Sequence, residues 1–537
     1  MSHLRRGLVA GLTVLTALVL APGCRSTAPP APTSGASPTA TSSSATSGPS
    51  ATPGPSATPG PARASGASVA AENAKHGTTA WRIDTRRIAG PLELAGYADH
   101  VSVRSGQSFR LFVTSTAGAF TVRSFRIGWY GGTGGRLVWT SASVPGRAQP
   151  APTVRPSDHL VTTTWQPSMT VPTTGWPAGA YLLLLTAANG KQKYVPITVR
   201  SDSTRGAVVV VNAVNTYEAY NQWGGYSLYS GPDNSFASRA HRVSFDRPYE
   251  GNGAKTLVQS ELPLIQLAEQ SGVRLAYLTS VDLATDPSAL ASARGMVSLG
   301  HDEYWTVAMR AAVTKARDAG TNLAFLGANA VYWRVRYEDG GRVLVGYKDA
   351  TLDPLRNRPD TTAKWRSKPD PRPENSLTGM LYECFPAVGS FTVRDPSFFL
   401  YAGTGAAKGS TYPGLTATEV DRAYPITGTP PNLQVVAHSP VSCGPSIHTF
   451  SDATYYTAPS GAGVFDIGSM NWVPSLHGPN SKHALTTREV TFARTVTLNL
   501  IRAMSTGPLA RTHPAQGDLR TLGASASMST GSGGSVG

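Results

Sequence analysis

The chain has 537 residues, 47 Lys and Arg against 32 Asp and Glu, a formal net charge of +15 and only three cysteines. That length exceeds what one hydrophobic core usually organises and predicts two or three domains. The basic balance comes without a lysine-rich run or an aromatic–basic reader module, so no nucleic acid is expected as partner, and anionic lipid headgroups or envelope polymers are.

At the N-terminus, Arg5 and Arg6 precede an apolar run from about Leu8 to Leu20. It is shorter than the roughly 20 residues a bilayer-spanning helix needs and has the length of a signal-peptide core. It ends in Leu18-Val19-Leu20-Ala21-Pro22-Gly23-Cys24, small residues directly before a cysteine, as in the lipobox of bacterial lipoproteins. Residues 1–24 therefore read as a lipoprotein signal segment. Cys24 reads as the lipidated residue, tethering the chain to the outer face of the cell membrane. The competing reading is a plain signal peptide cleaved nearby. Residues 25–75 are mostly Ser, Thr, Ala, Pro and Gly, with Pro-Ser-Ala-Thr-Pro-Gly at 49–54 and again at 55–60. Such a segment cannot bury enough apolar surface to offset its chain entropy, and predicts a disordered stalk.

From 76 to 203 the pattern is β. Ser108–Ser115, Phe120–Tyr130, Ala180–Thr186 and Tyr194–Arg200 alternate or run apolar between Gly/Pro turns such as Gly131-Gly132 and Gly134-Gly135. Short strands at this spacing predict an immunoglobulin-like β-sandwich.

Residues 204–507 follow another grammar. Ala207–Asn212, Val273–Leu278, Gly295–Gly300, Asn322–Gly327 and Gly463–Gly468 are short apolar runs. They alternate with helical periods over Thr256–Ser271, Val307–Ala319 and Arg488–Met504. Strands buried on both faces and separated by helices predict a parallel sheet inside an α/β domain. A stretch rich in Pro, Gly, Arg and Tyr, about 335–459, interrupts it and reads as inserted loops with a few strands. Residues 508–537 read as a disordered Gly/Ser tail. With Cys24 lipidated, Cys384 and Cys443 remain; in an oxidising compartment they are expected to pair, the alternative being two buried thiols.

Open parallel sheets bind ligands beyond the carboxyl ends of their strands. Those ends carry Tyr217, Glu218, Tyr220 and Trp223; then His301, Asp302, Glu303, Tyr304 and Trp305; then Asn329, Tyr332 and Trp333; then Asn471 and Trp472. The sharpest unit is Gly300-His301-Asp302-Glu303-Tyr304-Trp305. In an extended chain His301 and Glu303 share one face, where an imidazole and a carboxylate can hold a metal or trade protons. The bland alternative makes Glu303 the cap of the following helix.

Four motifs in order carry a resemblance. They are Phe125-Arg-Ile-Gly-Trp-Tyr-Gly-Gly, Tyr217-Glu-Ala-Tyr-Asn-Gln-Trp-Gly-Gly-Tyr-Ser-Leu-Tyr, Gly300-His-Asp-Glu-Tyr-Trp and Leu326-Gly-Ala-Asn-Ala-Val-Tyr-Trp-Arg. Together the stretch from about 95 to 505 resembles the C-terminal region of the large (beta) subunit of N,N-dimethylformamidase. The resemblance implies a β-sandwich followed by a glutamine-amidotransferase-like, flavodoxin-like α/β domain. It also implies an amide hydrolase with a mononuclear iron, Fe3+, held by tyrosine and glutamate oxygens. Carried over, Tyr220, Tyr181 and Glu303 are the expected metal ligands, His301 the catalytic histidine, and Asn329 and Lys348 polar residues lining the site. The substrate would be a small amide or an envelope-derived molecule with a similar carbon–nitrogen bond. The competing reading is a non-catalytic envelope module that binds glycans or other ligands through exposed aromatics: Trp223, Tyr226, Tyr229, Trp305, Tyr332, Trp333 and Trp472. Amidotransferase chemistry proper is excluded, because no cysteine follows a strand of the α/β domain.

Overall fold

The computed structural model describes residues 68–522. The signal segment, Cys24 and nearly all of the expected stalk lie outside the described residues, as does the chain after Leu522. No helix among the described residues is long and apolar enough to cross a membrane.

The fold is a mixed α/β structure dominated by sheets. Ten strands come first: β1 Leu94–Ala98, β2 Ser102–Arg104, β3 Phe109–Ser115, β4 Phe120–Ile127, β5 Gly135–Thr140, β6 Thr153–Arg155, β7 Leu160–Thr162, β8 Met169–Val171, β9 Gly179–Ala187 and β10 Gln192–Arg200. They form a three-stranded sheet β1-β3-β8, a five-stranded sheet β2-β10-β9-β4-β5 and a two-stranded β6-β7 ribbon. The two larger sheets share one apolar core, with Leu94, Leu111 and Val171 from the first and Val122, Leu183, Leu185 and Ile197 from the second. Side chains alternate across a strand. So Ala180, Leu182 and Leu184 of β9 face away from this core and join the core of the following α/β region.

That region is built on nine strands, among them β11 Val208–Asn212, β13 Leu275–Thr279, β14 Gly295–Gly300, β16 Asn322–Gly327, β19 Leu381–Thr392, β20 Thr411–Arg422, β21 Gln434–Cys443, β22 Ile447–Thr457 and β23 Gly463–Asp466. Their order is β13-β11-β14-β16-β23-β22-β21-β19-β20. The first five run parallel, and the remaining pairings are antiparallel. Four short strands, β12 Arg242–Ser244, β15 Tyr304–Thr306, β17 Trp333–Glu338 and β18 Val343–Val345, form a separate small sheet. Val208, Val210 and Leu326 pack with α3 Leu262–Gln270 and α7 Thr487–Thr506 on one face. Val209, Val211 and Phe325 pack with α4 Ser280–Thr285 and α5 Val307–Asp318 on the other. Continuous apolar runs are what a two-sided burial demands.

Three expectations change. The stretch 335–459 is more ordered than its Pro and Gly content suggested, because β19 to β22 extend the parallel sheet by four strands. The last residues expected in the stalk are ordered: Val69–Asn73 is a helix, α1, and Glu72 on it is buried against Arg136, Lys75 and Tyr130. The tail stays packed past Thr512, since Leu519 is buried and Asp518 pairs with Arg394. One apolar side chain and one ion pair outweigh the composition there. A disulfide joins Cys384 and Cys443 of neighbouring strands β19 and β21, with Cα atoms 6.0 Å apart.

Candidate active site

Four of the five parallel strands, β11, β14, β16 and β23, lead to one cavity of about 880 Å³. Tyr220 closes α2 Val214–Tyr220, the helix after β11, while His301 and Glu303 follow β14 and Asn329 follows β16. Lys348 comes after β18, and Glu419 lies on β20. All six line the cavity, with Tyr229 from the loop after α2.

Close backbone approach makes this convergence possible. Gly300 and Gly327 are register partners in β14 and β16, and a Cβ on Gly327 would lie 1.5 Å from the Gly300 carbonyl oxygen. Gly300 itself has φ +53 and turns the chain into His301. Four non-glycine residues around the cavity floor also adopt left-handed conformations: Asn329 at φ 60, Val331 at φ 59, Lys348 at φ 61 and Thr418 at φ 72. Left-handed β-branched residues cost energy, and such strain concentrates where geometry serves function.

The centre is a triangle of oxygens. The Tyr220 hydroxyl donates to Glu303 Oε2 at 2.9 Å and lies 2.9 Å from the Tyr229 hydroxyl, which donates to Glu303 Oε1 at 2.6 Å. The two phenol rings stack with centroids 4.4 Å apart. Asn329 Nδ2 donates to Glu303 Oε1 at 3.1 Å. His301 Nε2 lies 3.1 Å from the Tyr220 hydroxyl and 3.3 Å from Glu303 Oε2, and its Nδ1 is 3.9 Å from Glu419 Oε2. Lys348 Nζ sits 3.0 Å from the Tyr229 ring centroid. Five buried polar atoms here have no hydrogen-bond partner: His301 Nδ1, Asn329 Oδ1, Lys348 Nζ, Glu419 Oε2 and the Tyr304 hydroxyl. Buried polar atoms are normally satisfied, so such a concentration in one place is unusual.

Electrostatics follow from burial and neighbours. Burial works against the His301 imidazolium, but Glu419 and Glu303 outweigh it and push the pKa up to about 9. Burial also raises Glu303, yet the hydrogen bond and charge of His301, with Lys348 behind them, hold it below the usual carboxylate range. The Glu419 carboxyl is pushed up to about 7, first by burial and then by Glu303 despite His301. Burial, then Glu303, lifts Tyr220 and Tyr229 well above the ordinary phenol value. Burial drives the Lys348 ammonium well below its ordinary range. Without a cation, this site is a protonated histidine beside one ionised carboxylate, capped by two neutral phenols.

Of the residues singled out in the sequence, Tyr220, His301, Glu303, Asn329 and Lys348 come together here. Tyr181 does not. It is buried in the sandwich core, its ring stacked on Trp176 and its hydroxyl donating to the Pro177 carbonyl at 2.6 Å. The helix-cap reading of Glu303 also falls, because Thr306 caps α5. Nor are the expected aromatics an exposed platform: Trp223, Trp305 and Trp472 are buried, while Tyr229, Tyr332 and Trp333 face the cavity. Glu218, beside the site in sequence, is spent on a fully buried pair with Arg247. Two site residues escaped the sequence reading. Tyr229 ends the Tyr217-to-Tyr229 motif and was read only as a surface ring. Glu419 sits in the inserted stretch, where nothing local signals it.

A family model, "N,N-dimethylformamidase beta subunit-like, C-terminal", matches residues 121–484. The chain belongs to this family. The dimethylformamidase-like match covers every residue of the oxygen triangle and its histidine, and carries with it a hydrolase type of function. No curated protein sequence matches the chain. Among solved structures, a Paenibacillus sp. cycloisomaltooligosaccharide glucanotransferase complexed with cycloisomaltoheptaose aligns at 16% identity and a TM-score of 0.14. That alignment covers 22% of this chain and 15% of the other, an extent that carries no argument about fold or function.

Proposed function

We propose that this protein hydrolyses an amide or another non-peptide carbon–nitrogen bond, using a ferric ion held by Tyr220, Tyr229 and Glu303. The observation that carries the reading is the triangle of two phenol oxygens and one carboxylate at the floor of a large cavity, with His301 against it. Two of the three donors in this arrangement are tyrosines. The donor set fits: phenolate and carboxylate are hard ligands suited to ferric iron. Buried phenols beside a carboxylate stay protonated on their own, and a bound cation reverses that preference. When bound, the ion supplies Lewis-acid polarisation of a carbonyl and acidification of water.

The remaining work falls to side chains. His301, charged between Glu303 and Glu419, is placed to deliver a proton to the departing amine. Glu419, with a pKa pushed up to about 7, can return a proton to His301 Nδ1 across 3.9 Å through a water. Asn329 holds Glu303 in orientation through its hydrogen bond to Oε1. The arrangement of parallel strands, 2-1-3-4-5 in chain order, supports a flavodoxin-like, amidotransferase-like core. The whole is proposed to work outside the cell, lipid-anchored through Cys24.

Elemental analysis of protein grown with ample iron tests the reading. One iron per chain is expected, with a visible tyrosinate charge-transfer band. Tyr220→Phe, Tyr229→Phe and Glu303→Gln should each lose it. His301→Ala should keep iron and abolish amine release. Wild-type protein that retains no transition metal would refute the proposal.

A further inference from the structure

Taking the hydrolase reading as its basis, we infer that the substrate is an anionic amide. Its carbonyl–nitrogen group reaches Glu303 and His301, while a carboxylate on its far portion is bound by Lys364 along the aromatic wall.

Size argues first. The cavity of about 880 Å³ lies in the range that holds drug-sized molecules. N,N-dimethylformamide displaces only about four or five waters, on the order of 130 Å³ at about 30 Å³ per water. A molecule that fills the space carries a substantial portion beyond its reacting amide.

The wall indicates what that portion is. Tyr332, Trp333, Tyr382 and Phe385 line it, with Tyr332 4.9 Å from Trp333 and 5.2 Å from Tyr382 between ring centroids. Phe385 is half exposed at 52%. Rings so arranged suit a flat or apolar body. Lys364 stands on them: its Nζ is 5.4 Å from the Tyr332 centroid and 6.0 Å from the Trp333 centroid. Its backbone is bridged to Trp333, which fixes where the side chain begins.

Charge completes the case. The carboxylates at the floor, Glu303 and Glu419, are matched by His301. Lys255 at the cavity lining has Glu250 within 3.9 Å. Glu374, whose charge is felt at Lys364, is held by both Arg366 Nε and Nη2 at 2.9–3.1 Å. Among the described residues no carboxylate forms an ion pair with Lys364. Lys348 Nζ, 92% buried by residue (8% exposed), approaches the same Trp333 ring at 4.9 Å and has no acceptor. Two amines thus flank one ring inside one cavity; burial disfavours the charged form of Lys348, so Lys364 is the cation offered near the wall. A carboxylate entering there satisfies a cation that the protein leaves without an acid.

The test uses the full-length protein and three probes. They are 4-(dimethylcarbamoyl)benzoate, the same amide without its carboxylate (N,N-dimethylbenzamide), and N,N-dimethylformamide. Affinity is measured by calorimetry and turnover by dimethylamine release. The carboxylate probe should bind at least ten-fold more tightly than its neutral partner. Lys364→Gln should reduce that ratio to near one, and Lys364→Arg should keep most of it. Equal affinity of the two aromatic amides, no binding of either, or a ratio unchanged in Lys364→Gln with native-like melting would overturn the inference. Tight, Lys364-dependent binding without any dimethylamine release would sustain the anion subsite and refute the hydrolase reading.

Discussion

Arg126 offers a quantitative test of how the β-sandwich is tied to the α/β region. Its guanidinium lies buried between β4 and α3, with Nη2 2.7 Å from Glu269 Oε1 and Nη1 3.1 Å from Oε2. It also donates to the Ala178 carbonyl and the Tyr130 hydroxyl, both at 3.0 Å. Tyr277 and Asn73 donate to the same glutamate. Arg126→Met keeps much of the volume but leaves Glu269 buried without its cation. Breaking one half of a buried pair costs about 3–5 kcal/mol, whereas replacing both halves by apolar groups is often close to neutral. At about 2 cal/mol/K of unfolding entropy per residue, a cooperative unit of this size loses roughly 1 °C per kcal/mol, so melting should fall by about 3–5 °C. Arg126→Met/Glu269→Leu should recover most of the loss. The assay is calorimetric and urea unfolding of the two single variants and the double one. Single variants within about 1 kcal/mol of wild type, or a double variant that simply sums the singles, would refute the reasoning.

Three further outcomes are expected. Gly327→Ala should cost several kcal/mol or prevent folding, because its Cβ meets the Gly300 carbonyl; a melting temperature within 2 °C of wild type, roughly 2 kcal/mol at this size, would contradict it. Tyr181→Phe should retain as much metal as wild type and lose only about 1 kcal/mol for the bond to Pro177, and metal loss there would reinstate Tyr181 as a ligand. Lys193, whose Nζ donates to the Ala89 and Gly251 carbonyls, is held down to about 8 by burial. Its folded value lies below its unfolded value of 10.5, so the unfolded chain binds more protons between these values and stability should rise from about pH 8 to about pH 10.5. Lys193→Met should flatten that rise, on the order of 1–3 kcal/mol, in urea titrations across the same range.

The parallel strands were legible because two-sided burial leaves little freedom: Val208–Asn212 and Asn322–Gly327 read as unbroken apolar runs and fold as such. The cluster of His301, Glu303 and Asn329 was legible because strand ends of one sheet must converge. Tyr181 was misread for a reason also present in the sequence. It shares its parity with Leu183 and Leu185, which point into the sandwich core, so strand alternation alone turns it from the cavity. Glu419 was not legible, since it is brought to His301 by the antiparallel extension, whose strand partners are set by distant pairing. The packed segment around Leu519 escaped for a similar reason: its few anchors are diluted by Gly, Ser and Thr.

The two faces of β9 carry a consequence for how this molecule can be cut or recombined. One strand donates Tyr181, Leu183 and Leu185 to the sandwich and Ala180, Leu182 and Leu184 to the α/β core. A break at the boundary near residue 203, natural by composition, would strip a greasy sheet face on one fragment and uncover α3 on the other. Neither half is a portable module. A chimera that exchanged the sandwich would have to carry a matching face for α3, including a replacement for the Arg126–Glu269 clamp.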